Sequence, residues 1–197
     1  MESVSIVCMF KKKKKVDWPC KRGLYIFFLV LTPWCGNTIT VGLVPFVKMA
    51  LRACGFIVFR HLLGCMPPPG NIEYLLLQTS YGEHHWTPPK GHVDPGEDDL
   101  TTALRETKEE AGLGAEHLRV IDGFVQELHY EVRGRPKEVL YWLAELRDPG
   151  TAVTLSDEHQ DYRWAQLEEA CALAGYKDLQ NTLRAAQRHL EAQQDKQ

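Results

Sequence analysis

The sequence predicts a layered α/β domain, and three observations carry that expectation. A chain of 197 residues with 44% hydrophobic content can bury one sizeable core. Apolar, β-branched runs recur along it between Pro- and Gly-rich breaks, the signature of strands. Helical periodicity appears between and after those runs, and such alternation leads to helices packed on a sheet.

From Met49 onward the elements follow in order. "CGFIVFR" and "IEYLLLQT" read as strands, with "GCMPPPGN" as the loop between them. "HHWTPPKGHVDPGE" is expected to be a second long loop, because Pro88, Pro89 and Pro95 forbid regular structure. A helix is expected from about Asp98 to Ala111, with acidic residues in its first turn and Gly112 just past its end. "RVIDGFVQELHYEV" and "EVLYWLAEL" form a returning pair of strands around the turn "RGRPK", and Trp142 and Trp164 read as core. "YRWAQLEEACALA" reads as a short strand leading into a helix, and "KDLQNTLRAAQRHLEAQ" as a closing amphipathic helix.

Residues 1–48 differ from the rest. Lys11 to Lys15 precede an apolar run, Leu24 to Leu31, that Pro33 and Asn37 cut short, too little for a membrane span. This segment is expected to be an extension outside the fold, with a targeting segment or a basic interaction tail as the alternatives. The domain is expected over residues 49–197. Charge follows the same divide, +6 before position 49 and −9 after it. An acidic body does not draw polyanions by its overall field, so a phosphate ligand would need metal ions or a few placed cations. It has no basic track for long nucleic acid. A monomer away from membranes is the expectation. The six cysteines form no C-x-x-C pair and no Asn-x-Ser/Thr site is present, which favours a reducing, intracellular setting; the cytoplasm is the expectation, with the nucleus as an alternative.

One segment concentrates the negative charge. "GHVDPGEDDLTTALRETKEEAGL", Gly91 to Leu113, holds seven carboxylates. On a helical wheel Leu104, Thr107 and Ala111 fall within about 40° of Leu100, giving a stripe to pack on a sheet. Glu106, Glu109 and Glu110 share a neighbouring arc, where like charges repel unless a cation sits among them. A solvated acidic face with Arg105 and Lys108 as counterions is the plain alternative. The spacing says more: Gly91, Glu97, Arg105, Glu106, Glu109, Glu110 and Gly112 follow G-x5-E-x7-R-E-U-x-E-E-x-G-U. Thr107 is a small departure at an apolar position.

This segment resembles the Nudix box. Within that family, "ALRACGFIVFR", "HHWTPPKGHVDPGED", "RETKEEAG" and "RPKEVLYWLAEL" are similar to the asymmetrical bis(5'-nucleosyl)-tetraphosphatases of animals. The resemblance implies a Nudix α/β/α sandwich with a mixed central sheet. It also implies metal-dependent hydrolysis of a dinucleoside polyphosphate, diadenosine tetraphosphate to AMP and ATP, by attack of water on phosphorus. Mg²⁺ is the implied cofactor, with Mn²⁺ as an alternative. Glu106, Glu110 and Glu158 are the implied catalytic carboxylates, with Glu109 joining them as metal ligands. Tyr81, His85 and Lys90 match positions at the polyphosphate. Tyr130 and Tyr176 match rings about a base, and Lys137 matches a phosphate cation. Arg105 is expected to face away from the glutamates and to orient Glu97 and the helix. Two other functions stay open: trimming of RNA 5' ends or caps, and a nucleotide sensor without catalysis. A sensor would be expected to lose Glu106, Glu109 or Glu110, and all three are present.

Overall fold

The computed structural model describes residues 50–62 and 71–194. The extension expected over residues 1–48, its cysteines and most of the "GCMPPPGN" loop lie outside the described residues. The elements are β1 (Leu51–His61), β2 (Ile72–Thr79), β3 (Trp86–Thr87), β4 (Lys90–His92), α1 (Asp99–Ala111), β5 (Leu118–Val132), β6 (Arg135–Leu146), β7 (His159–Ala165), α2 (Leu167–Ala174) and α3 (Lys177–Gln194).

One sheet of seven strands organises them. Its order is β3-β2-β1-β6-β5, with β4 also pairing β1 and β7 pairing β2. β1 runs parallel to β6, from Leu51↔Lys137 to Phe59↔Glu145, while the other pairs are antiparallel. The sheet is therefore mixed. Central β1 is buried from Ala53 to Phe59 without alternation, because both of its faces are covered. Ala53, Ile57 and Phe59 join a core with Leu179, Leu183, Ala186 and Leu190 of α3. Cys54, Phe56 and Val58 join another with Ala103 and Ala111 of α1. Helix, sheet and helix make three layers, as the resemblance implied.

Several local expectations need correction. Pro88 and Pro89 do stand outside strands, but β3 and β4 flank them, so the second loop is half sheet. The "RGRPK" turn shrinks to Arg133 and Gly134, at φ 50° and 73°, the left-handed pair that closes a two-residue hairpin. Arg135, Pro136 and Lys137 already belong to β6. Helix α1 starts one residue later than expected, because the Asp98 side chain caps it by accepting from the Thr101 amide at 3.0 Å. Its buried face is Thr102, Ala103, Thr107, Glu110 and Ala111, whereas Leu100 is 39% exposed. The face is turned by about 70° from the expected stripe, bringing glutamates toward the sheet. Trp142 and Trp164 are half-buried at the margin of the second core, and Arg60 lies 4.5 Å above the Trp164 ring. The Cys54 and Cys171 thiols are buried and form no disulfide among the described residues.

Candidate active site

The acidic motif builds a frame before it builds a site. Glu97 accepts two bonds from Arg105, 3.0 Å from Nε and 2.8 Å from Nη2, and a third from the Thr102 hydroxyl at 2.7 Å. These charge-assisted bonds hold its carboxyl down at about 2. Arg105 does not face away from the other glutamates, contrary to expectation. Its Nη1 donates to Glu106 at 2.8 Å and to Glu109 at 3.4 Å, while Nη2 also reaches the His92 carbonyl at 3.0 Å. A guanidinium has five donors on a long stem, so one residue can bridge its own helix and the loop before it. Gly91 has a steric reason: a Cβ there would fall inside the Glu106 carboxylate, which lies flat against β4.

Glu110 is the most deeply set carboxylate of the group, with its side chain 11% exposed. The Lys90 amide donates to its Oε2 at 2.8 Å. Burial pushes its carboxyl up to about 7; Lys90 opposes the rise, and Glu106 and Glu158 add to it. Burial also raises Glu106, against the pull of Arg105. The loop between β6 and β7 folds over the end of α1: the Thr154 amide donates to the Ala111 carbonyl at 3.0 Å and that of Ser156 to the Glu110 carbonyl at 3.4 Å. Ser80 then fixes the far side of that loop, its amide on the Glu158 carbonyl at 2.8 Å and its hydroxyl on that of Asp157 at 3.0 Å. Glu158 thereby comes close enough to raise Glu106, Glu110 and the Tyr81 phenol.

Cations and rings occupy the neighbouring ground. Lys90 lies on β4 and Lys137 on β6. Burial and then the Lys90 charge lower the Lys137 ammonium to about 8, while Glu110 works the other way. Tyr130 sits directly across the β5–β6 ladder from Lys137. Its phenol is raised by burial and by the nearby Tyr176. Tyr81, Tyr130 and Tyr176 are 61%, 40% and 53% exposed, so these rings are not core packing. Tyr176 approaches His85, with its hydroxyl 3.0 Å from Nε2.

The structure thus gathers Glu106, Glu110, Glu158, Lys90, Lys137 and Tyr81 into one electrostatic neighbourhood, with Tyr130, Tyr176 and His85 adjoining. Glu109 is the outlying carboxylate, with its side chain 59% exposed. His159 was not foreseen. Its ring is almost wholly buried, 3.9 Å from Glu110 Oε1 and 3.3 Å from the Ser156 hydroxyl. The one cue in the sequence was its place beside Glu158.

Hard carboxylate oxygens, raised by burial and by one another, suit a divalent cation of the Mg²⁺ class, so the residues fit the metal that the motif implies. Among the described residues, the group of carboxylate and imidazole side chains whose ligand atoms lie within 4.8 Å of one another is Glu127, His129 and Glu138, on β5 and β6 rather than on α1. Neighbouring residues point to opposite faces of a strand, so this group faces away from Tyr130 and Lys137. Arg52, paired with Glu138 and with Asp99, already neutralises part of its charge.

Residues 66–189 match the NUDIX domain family. A protein of Mus musculus named asymmetrical bis(5'-nucleosyl)-tetraphosphatase is 57% identical over 142 residues, 72% of this chain and 97% of its own length. The protein of that name from Caenorhabditis elegans is 48% identical over 136 residues, 69% of this chain and 94% of its own. A crystal structure of a C. elegans Ap4A hydrolase binary complex superposes with a TM-score of 0.68 at 46% identity, covering 73% of this chain and 99% of that one.

Proposed function

Since the chain belongs to the Nudix hydrolases, we propose that it cleaves a dinucleoside tetraphosphate asymmetrically, diadenosine tetraphosphate giving AMP and ATP. The observation that carries this reading is the juxtaposition of two carboxylates, buried Glu110 and half-buried Glu106, with the cations Lys90 and Lys137 and a group of exposed tyrosines. Its relatives' names support the substrate class.

Glu106, Glu109, Glu110 and Glu158 would hold divalent cations. A bound Mg²⁺ would neutralise phosphate charge and activate water for attack on phosphorus. The chain's own residues do the rest. Arg105 and the absent side chain of Gly91 set the orientation of Glu106. The Lys90 amide fixes one oxygen of Glu110, and the other lies 3.9 Å from His159 Nε2. Lys90 and Lys137 offset the negative charge of the polyphosphate in a body whose net charge repels it. Tyr130 and Tyr176 offer faces to a base, each stacking contact contributing about 1–3 kcal/mol.

The test is hydrolysis of diadenosine tetraphosphate by the full chain with Mg²⁺ in ¹⁸O-labelled water, with the products resolved by mass. Equal AMP and ATP, lost with chelator, is the expected outcome, and the labelled product identifies the phosphorus attacked. Turnover of capped RNA alone would overturn the substrate assignment. Tight nucleotide binding without turnover would overturn the catalytic one.

A further inference from the structure

Three carboxylates meet at the cleft, and they are held in different ways. Arg105 holds Glu106 by its carboxylate, and the Lys90 amide holds Glu110 by its own. Glu158 comes from the loop before β7 and is exposed. It is gripped by its main chain, and the grip comes from Ser80, the residue just past the end of β2. The Ser80 amide donates to the Glu158 carbonyl at 2.8 Å, and the Ser80 hydroxyl donates to the Asp157 carbonyl at 3.0 Å. We propose that Ser80 is a positioning residue for Glu158: its two bonds aim that carboxylate at the metal site of Glu106 and Glu110. This rests on the reading of Glu158 as a metal ligand.

The two bonds matter because of which carbonyls they take. The Asp157 carbonyl belongs to the peptide before Glu158, and the Glu158 carbonyl to the peptide after it. Each peptide unit is planar, so only φ and ψ at Glu158 relate the two planes. With both planes tied to one residue, the direction of the Glu158 Cα–Cβ bond is set with them. The sheet delivers Ser80 to this spot. β2 and β7 pair through Gln78↔Asp161, and the ladder then slips, so that Thr79 meets His159 and Gln160 is left over. A bulge of this kind re-aims the side chains beyond it. Ser80 follows the last pair, and Glu158 is the residue its amide meets. The loop is anchored on its other side as well. The Ser156 amide donates to the Glu110 carbonyl at 3.4 Å and the His159 amide to the Ser156 carbonyl at 3.1 Å, while the buried His159 ring lies 3.3 Å from the Ser156 hydroxyl. Held in this way, Glu158 is near enough to raise the carboxyls of Glu106 and Glu110. A carboxylate on a loop free to turn must be ordered when a cation binds, and such ordering costs affinity. Ser80 does part of that ordering in advance. Its amide bond survives most substitutions, whereas the bond to Asp157 needs a hydroxyl at position 80.

The test is a double-mutant cycle in the full chain with two readouts: calorimetric Kd for Mg²⁺ without nucleotide, and kcat and KM for diadenosine tetraphosphate. Ser80→Ala removes the hydroxyl and leaves the amide. It is expected to weaken Mg²⁺ binding and to lower kcat by about 5-fold each, the scale of one hydrogen bond, with KM unchanged. Ser80→Thr keeps the hydroxyl and should restore most of both. Glu158→Gln should have a larger effect than Ser80→Ala in each readout. Adding Ser80→Ala to it should change neither further, because a residue that acts through Glu158 then has no carboxylate left to aim. Multiplying effects in the double variant, or a Ser80→Ala protein that melts earlier with both readouts intact, would overturn the proposal and leave Ser80 a structural residue. Glu158→Gln with native Mg²⁺ affinity and native kcat would instead remove Glu158 from the metal site, so the two failures are told apart. Mg²⁺ binding is read whether or not the dinucleotide is cleaved, so the proposal stands or falls apart from the substrate assignment.

Discussion

A single methyl group at position 91 is expected to silence the site. In Gly91→Ala the new Cβ meets the Glu106 carboxylate, which must leave β4 and its bond to Arg105. The expected result is a fall in kcat of about 10²–10³-fold, the scale for losing one aligned catalytic group, with the folded signal in circular dichroism retained. Glu110→Gln should lose activity on the same scale while making the metal-free protein more stable. Its carboxyl is raised to about 7 in the fold, so folding is penalised as pH rises from the unfolded value toward 7. The gain in Tm should therefore be full at pH 8, shrink as pH falls through 7 and vanish below the unfolded value of 4.5. Lys137 works with the opposite charge. Held at about 8, it is protonated and competent for phosphate below that pH and loses its charge above it. kcat/KM should fall on the alkaline side with a pKa near 8, and Lys137→Arg should move that limb out of range. What was legible at this scale follows from chemistry: carboxylates, a glycine and an arginine at fixed spacing are side-chain facts. The Lys90 amide on Glu110 is a backbone fact, and the contact of His159 with Glu110 needs two distant segments brought together. Neither is written in any short stretch.

Helix α1 shows what an element adds to its residues. Its buried arc carries Glu110 and Thr107 where an apolar stripe would be expected, and the Lys90 amide supplies Glu110 with a donor that water would otherwise provide. Thr107 received no such compensation: its hydroxyl is buried with no hydrogen-bond partner among the described residues. Thr107→Val keeps the branched shape and removes that orphan, so it should raise stability by about 1 kcal/mol in urea titration without changing kcat. A loss of stability would mean the hydroxyl is bonded after all. The strands were legible because runs such as "IEYLLLQT" are mostly apolar and hold no Gly or Pro, and β2 spans that stretch residue for residue. Pairing partners were not, since the parallel match of β1 with β6 joins segments that nothing local relates. The hairpin escaped in part for a related reason. Arg133 is not a residue that composition assigns to a left-handed turn, whereas Gly134 is.

At the scale of the whole molecule, the acidic body and the metal are one question. The chain after position 48 carries −9, and the fold brings Glu106, Glu110 and Glu158 within mutual influence while Arg105 answers only part of that charge. A cation that binds the native state and not the unfolded chain stabilises by mass action, about 2.7 kcal/mol at a hundred times its dissociation constant. For a domain of this size that corresponds to a rise in Tm of about 5–10 °C. Mg²⁺ should therefore shift the melting curve, and chelator should reverse the shift. The location of the cation is read from variants. Glu106→Gln and Glu110→Gln should each remove most of the shift, since each withdraws a charged ligand from the cleft. Glu127→Gln should leave it, because the β5–β6 group faces the other way and Arg52 shares its charge. The reverse pattern, with the shift lost in Glu127→Gln and kept in both cleft variants, would place the cation on the wrong face for the tyrosines and lysines. The hydrolytic reading of the cleft would fall with it.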